Sequence, residues 1–117
     1  MNIQIRTHKN ELSEGLQKYV ERRMAFTLDR HLAKVGQVSV YLDDVNGPKG
    51  GVDKICQVKV ELAGQRPVEI LEESSTFAGA VDGAARRLGY RIQQVLRRRR
   101  PEEIAHRLRG VPGGEVA

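Results

Sequence analysis

From Cys56 to Leu62 the chain alternates without a break: Cys56, Val58, Val60 and Leu62 fall on one side, and Gln57, Lys59 and Glu61 on the other. A period of two over that length is a β-strand with one face in a core and one in water. Such a strand needs paired neighbours and an apolar layer over its dry face, so the rest of the chain must supply both. The neighbours are legible. Ile3 and Ile5 alternate with Asn2, Gln4 and Arg6 in a strand over Met1 to Arg6, and Val38, Val40 and Leu42 alternate with Ser39, Tyr41 and Asp43. Val68 and Ile70 make a fourth strand after the short turn Ala63-Gly64-Gln65-Arg66, with Pro67 at its start, where a missing N–H is least costly. The run from Asp43 to Gly51, with Asn46, Gly47, Pro48, Gly50 and Gly51, cannot continue a ladder and reads as a long, mobile hairpin loop.

Two helical patterns supply the cover. Leu12, Leu16, Tyr19, Val20 and Met24 recur at three- and four-residue steps behind Ser13, a good N-cap, and Glu14 in the first turn. They predict a helix from about Ser13 to His31. Thr76 caps a second helix in which Phe77, Val81, Ala84, Leu88, Ile92 and Val95 form one stripe, and Pro101 is expected to stop or kink it. Glu102 to Arg109 then forms one or two turns, before the glycines of Gly110-Val111-Pro112-Gly113-Gly114 loosen the terminus. The order is β-α-β-β-β-α. A right-handed crossover between the first two strands and hairpins thereafter give an α+β fold, a four-stranded mixed sheet with two helices packed on one face.

At 117 residues the chain is one domain, with residues 1–100 as its folded part and 101–117 as a flexible C-terminal tail. It contains no run of about 18 apolar residues and no apolar signal-peptide core, so a cytoplasmic protein is expected. The lone Cys56 excludes an internal disulfide, and His8, His31 and His106 are too scattered for a metal site. No metal, cofactor or small-molecule substrate is expected.

Charge is distributed unevenly. Residues 1–75 hold eleven Lys/Arg and eleven Asp/Glu, residues 76–100 hold seven Arg against Asp82 alone, and residues 101–117 hold two Arg against three Glu. All of the net positive charge therefore resides in residues 76–100, which carry +6 against −1 in the tail. At about 100° per residue, Arg86, Tyr90, Gln93 and Arg97 lie opposite its apolar stripe, with Arg87, Arg91 and Arg98 on one flank. Arginines four apart stand roughly 6 Å apart along the axis, and each guanidinium can take a phosphate bidentately, which is a geometry for RNA or DNA. Asp82 reaches only Arg86 at i+4. A face basic merely for solubility is the competing explanation, and the helix dipole accounts for part of the Arg97 to Arg100 run. The first helix adds Lys18, Arg22 and Arg23 among Glu14 and Glu21. Arg23 falls near the apolar azimuth, so it either snorkels past the core or marks the rim where the helices meet.

Catalysis has little to stand on. Asp43 and Asp44, adjacent on a strand, point to opposite faces and read as turn chemistry; Cys56 sits on the apolar strand face as a buried, inert thiol; and Lys49 among its glycines is no phosphate loop. A single-strand RNA binder using its sheet needs two or three outward aromatics, and only Tyr41 is outward on the strands.

With these residues in place the chain resembles a bacterial family, the ribosome hibernation promoting factors, also called ribosome-associated translation inhibitors or the sigma-54 modulation family. The resemblance covers residues 1 to about 100. It rests on the opening Ile3-Gln4-Ile5, the helix start from Leu12 to Val20, the strand from Cys56 to Leu62, and Ala80-Val81-Asp82-Gly83 leading into Arg87-Leu88. It implies a βαβββα fold, similar to that of double-stranded RNA-binding domains, lodged in the mRNA and tRNA channel of the small ribosomal subunit. There basic helix surfaces grip ribosomal RNA and idle the ribosome under stress. Carried over by position, Arg23, Arg87 and Arg98 match basic positions of the family. Tyr90 and Gln94 stand where it commonly has Arg or Lys, and Arg86, Arg91 and Arg97 add charge at less typical positions. The chain looks like a short form, without a second, dimerising domain.

The expected RNA-binding residues are thus Lys18, Arg22, Arg23, Arg86, Arg87, Tyr90, Arg91, Arg97 and Arg98. The expected partner is the ribosome, met by a monomer with no membrane involved, and about seven arginine–phosphate contacts imply a salt slope of roughly 5 to 6. The alternative is a generic double-stranded RNA-binding module, against which the leading strand counts, since such modules begin with a helix.

Overall fold

The computed structural model describes residues 2–8, 12–45 and 53–109, from 98 onward as backbone only. The elements follow the expected order: β1 (Asn2–Thr7), α1 (Glu14–Leu28), β2 (Val35–Asp44), β3 (Lys54–Leu62), β4 (Val68–Ser74) and α2 (Phe77–Arg109). The strands pair in chain order, β1 parallel to β2 across the α1 crossover, and β2, β3 and β4 antiparallel. This is the mixed sheet that the alternation predicts.

Register places the apolar side chains in rows. Ile5, Val40, Val58 and Ile70 lie side by side across all four strands, and Ile3, Val38, Val60 and Val68 form the next row. Both helices cover these rows: Val20, Met24 and Leu28 of α1 and Val81, Ala84, Leu88 and Ile92 of α2 are fully buried, with Phe77 and Val95 packed at the margin. Burial of a single Val, Leu, Ile or Met side chain stabilises the fold by about 1.5–3 kcal/mol, so the two stripes fix which face of each helix is left for solvent.

Both expected caps form. The Ser13 hydroxyl accepts from the Leu16 N–H at 3.1 Å, and that of Thr76 accepts from the Gly79 N–H at 2.9 Å. Three boundaries differ from expectation. α1 stops at Leu28, and Asp29–His31 tightens into a 3-10 turn that aims the chain into β2. β2 begins at Val35, because a register irregularity between Val35 and Val38 buries two residues three apart, which strict alternation cannot detect. Pro101 does not end α2, which continues to Arg109; one missing N–H is tolerated with good helix formers such as Glu102, Glu103 and Ala105 just beyond it. In the β3–β4 turn, Gly64 takes a φ of 72°, the left-handed conformation that a side chain disfavours. The expected loop lies mostly outside the described residues, as do the terminus from 110 and the side chain of Arg98; the base of the loop is closed by the Val45 N–H donating to the Asp53 carbonyl at 2.9 Å.

Two glycines set how closely α2 lies on its neighbours. A Cβ at Gly83 would stand 2.7 Å from Glu72 Cγ on β4, and one at Gly89 would stand 3.3 Å from Thr27 Cγ2 on α1. The second approach draws the helices together along one line and leaves a groove beside it.

Candidate nucleic-acid interface

That groove encloses about 770 Å³ between α1 with its 3-10 turn and the middle of α2. Its α1 wall carries Arg22, Arg23, Phe26 and Arg30; its α2 wall carries Ala85, Arg86, Gly89 and Gln93. Small residues on α2 face long cationic ones on α1, so the groove is open at the floor and basic at the rim. Asp29 is the one acidic side chain in its lining.

The arginines divide into two groups by what they touch. Arg23 Nε donates to Asp82 Oδ1 at 3.2 Å and its Nη1 donates to Thr27 Oγ1 at 3.3 Å. The Tyr19 hydroxyl donates to the same Asp82 oxygen, and this bond, with desolvation second, holds the phenol above its ordinary pKa. Asp82 is therefore an interhelical acceptor, not the i+4 partner of Arg86 that spacing alone allows. Arg23 marks the rim where the helices meet. Arg87 is also engaged: its Nη1 donates to the Leu71 carbonyl at 2.7 Å and to Glu72 Oε2 at 3.1 Å, clasping the edge strand β4. Lys18, on the exposed side of α1, pairs with Glu14 at 3.1 Å.

Arg22, Arg86, Arg91 and Arg97 are exposed and, among the described residues, have no ion-pair partner; Tyr90 is exposed beside them. The structure thus brings Arg22, Arg23 and Arg86 to one groove, leaves Arg91, Tyr90 and Arg97 on the open face of α2, and turns Arg87 toward the sheet. Sequence reasoning missed Arg30, His31 and Phe26. A signal for Phe26 existed: a step of about 200° from the buried Met24 takes it off the apolar stripe, with Arg22 and Arg30 four residues to either side.

The residues weighed for catalysis have local roles. Asp43 accepts from the Asp44 N–H at 2.8 Å, and Asp44 pairs with Lys54 at 3.1 Å. Burial, with the nearby Glu72 charge second, pushes the Cys56 thiol up to about 12, where it is a packing group. No described helix is long and apolar enough to cross a membrane.

Fold and site together define an α+β domain of β-α-β-β-β-α order whose helix pair presents a cationic groove. The chain belongs to the family described as sigma 54 modulation protein / S30EA ribosomal protein, whose model matches residues 3–100. Among solved structures it is similar to a ribosomal subunit interface protein from Coxiella burnetii, with a TM-score of 0.68 at 18% identity, covering 81% of this chain and 97% of that one. It is also similar to the N-terminal domain of Thermus thermophilus Protein Y, with a TM-score of 0.67 at 23% identity, covering 81% and 99%. At those identities the likeness is one of fold. No curated protein sequence matches the chain significantly.

Proposed function

We propose that this protein is a non-catalytic, ribosome-associated translation inhibitor, a hibernation factor that binds small-subunit ribosomal RNA in the mRNA and tRNA channel through its basic helix faces. The observation that carries this reading is the set of guanidinia at Arg22, Arg86, Arg91 and Arg97 that have no ion-pair partner among the described residues, displayed on the helix side of a domain from a family named for a ribosomal protein. The name of the Coxiella burnetii structure, a ribosomal subunit interface protein, agrees with a site between subunits. The mechanism is electrostatic and steric: phosphate contacts hold the domain, and its bulk excludes messenger or tRNA. The binding unit is a monomer acting in the cytoplasm. The family match ends at residue 100, which supports reading 1–100 as the ribosome-binding unit and 101–117 as an appendage to it.

Co-sedimentation with purified small subunits tests the reading. Wild type should pellet with them, and Arg22→Glu combined with Arg86→Glu should abolish this while leaving the circular dichroism spectrum unchanged, because neither side chain supports the core. Retention of the double variant would show that another surface binds. Competition with plain duplex RNA separates the generic alternative, which predicts equal displacement by duplex and by ribosomes.

A further inference from the structure

Phe26 is 78% exposed, the most exposed large apolar side chain among the described residues, and it does not face open solvent at random. It lines the groove between α1 and α2, with Arg22 one turn before it and Arg30 about one turn after it on the same wall, and Arg86 opposite. A lone exposed phenyl ring is common on protein surfaces. One set among three guanidinia with no ion-pair partner among the described residues is a different object: a flat apolar plate ringed by phosphate-binding groups.

We propose that this groove takes one unpaired nucleotide of an RNA strand, its base stacked on Phe26 and its neighbouring phosphates held by Arg22, Arg30 and Arg86. The inference rests on the RNA-binding reading above and narrows it from phosphate recognition to a nucleotide out of its helix. Phosphate contacts alone need no aromatic, and a base inside an A-form duplex has no free face to offer one. A splayed base has such a face, and stacking accepts any base, so the contact selects for single-strandedness and not for sequence. Charge complementarity favours this occupant: Arg22, Arg30 and Arg86 stand against Asp29 alone, while Arg23, on the α1 wall, is satisfied by Asp82 and Thr27 and serves as scaffold. Gln93 on the α2 wall adds an amide able to hydrogen-bond a base edge or a ribose hydroxyl.

The test uses the intact chain and three fluorescently labelled probes of equal length: oligouridine, oligouridine annealed to oligoadenosine, and an abasic ribose-phosphate strand. Wild type should bind oligouridine more tightly than either of the other two. Phe26→Ala, at a position too exposed to support the core, should weaken oligouridine binding on the order of tenfold. It should leave duplex and abasic binding and the salt slope unchanged, and Phe26→Trp should restore the affinity. Equal binding of wild type and Phe26→Ala to oligouridine overturns the proposal. So does an equal loss on all three probes, and so does wild type that binds a polyglutamate peptide but none of the RNAs. If Phe26→Ala binds oligouridine and small subunits as wild type does, the stacking site fails and the ribosomal reading stands. If wild type never pellets with subunits, the ribosomal reading fails whatever Phe26 does with oligouridine.

Discussion

Arg23 Nε donates to Asp82 Oδ1 at 3.2 Å, tying α1 to α2 at the edge of the core. The Tyr19 hydroxyl converges on the same oxygen, so one carboxylate gathers two donors from the neighbouring helix. This arrangement separates two jobs that the sequence leaves merged. Asp82, the only acid among the arginines of residues 76–100, does not neutralise the basic face; it spends its charge between the helices. Arg86, one turn further on, has no ion-pair partner among the described residues and is available to a polyanion.

Asp82→Ala should therefore act on stability and not on binding. It removes the acceptor of both bonds, and because its side chain is 44% exposed the cost is reduced by solvent to about 1 kcal/mol. A fall in thermal midpoint of roughly 4 °C is expected, with affinity for small subunits equal to or above that of wild type, since Arg23 is released. An unchanged midpoint would mean that the interhelical bonds carry no weight.

Arg87 and Arg86 are adjacent in sequence and should behave oppositely. Arg87→Ala loses the bonds to the Leu71 carbonyl and to Glu72 on the edge strand, worth about 0.5–1 kcal/mol for a half-exposed side chain, or roughly 2 to 4 °C. Its effect on ribosome affinity should be smaller than that of Arg86→Ala, which should weaken binding without moving the midpoint. Calorimetry and pelleting on the same pair of variants decide this, and identical behaviour of the two would contradict the division.

Cys56 supplies a prediction in pH. Its thiol is raised from 9.0 to about 12, so the folded chain keeps a proton that the unfolded chain gives up. The stability this contributes is intact below about pH 9 and is lost as pH climbs toward about 12. Cys56→Val, close in volume, should flatten the decline of the urea midpoint across that window relative to wild type. In the native protein the thiol should resist alkylation near neutral pH and react once urea unfolds the chain.

What was legible in the sequence was whatever repeats. The period of two from Cys56 to Leu62 and the stripe from Phe77 to Val95 each place their own residues, and rows such as Ile5, Val40, Val58 and Ile70 follow from pairing them. The irregularity at Val35 breaks the period and so hid the start of β2. The site was legible as composition but not as geometry. One of the two partners of Arg87 is a backbone carbonyl, which no residue type announces. The groove is bordered by the close approach of Gly89 to Thr27, residues 62 positions apart. Phe26 could have been noticed from its phase and its flanking arginines, but its value depends on the opposite wall.

The same division revises the salt dependence. Seven arginine contacts would give a slope of roughly 5 to 6, but Arg23 is committed to Asp82 and Arg87 to β4. Among the described residues of the helices and the 3-10 turn, the exposed arginines with no ion-pair partner are Arg22, Arg30, Arg86, Arg91 and Arg97. Five phosphate contacts release fewer counterions, and the slope of log affinity against log salt should be roughly 3.5 to 4.5 in magnitude. Arg87→Ala should leave that slope unchanged, whereas Arg22→Ala and Arg86→Ala should each lower it by a little under one. Fluorescence anisotropy with labelled small-subunit RNA over a salt series measures all four proteins, and a slope near zero for wild type would sink the electrostatic mechanism.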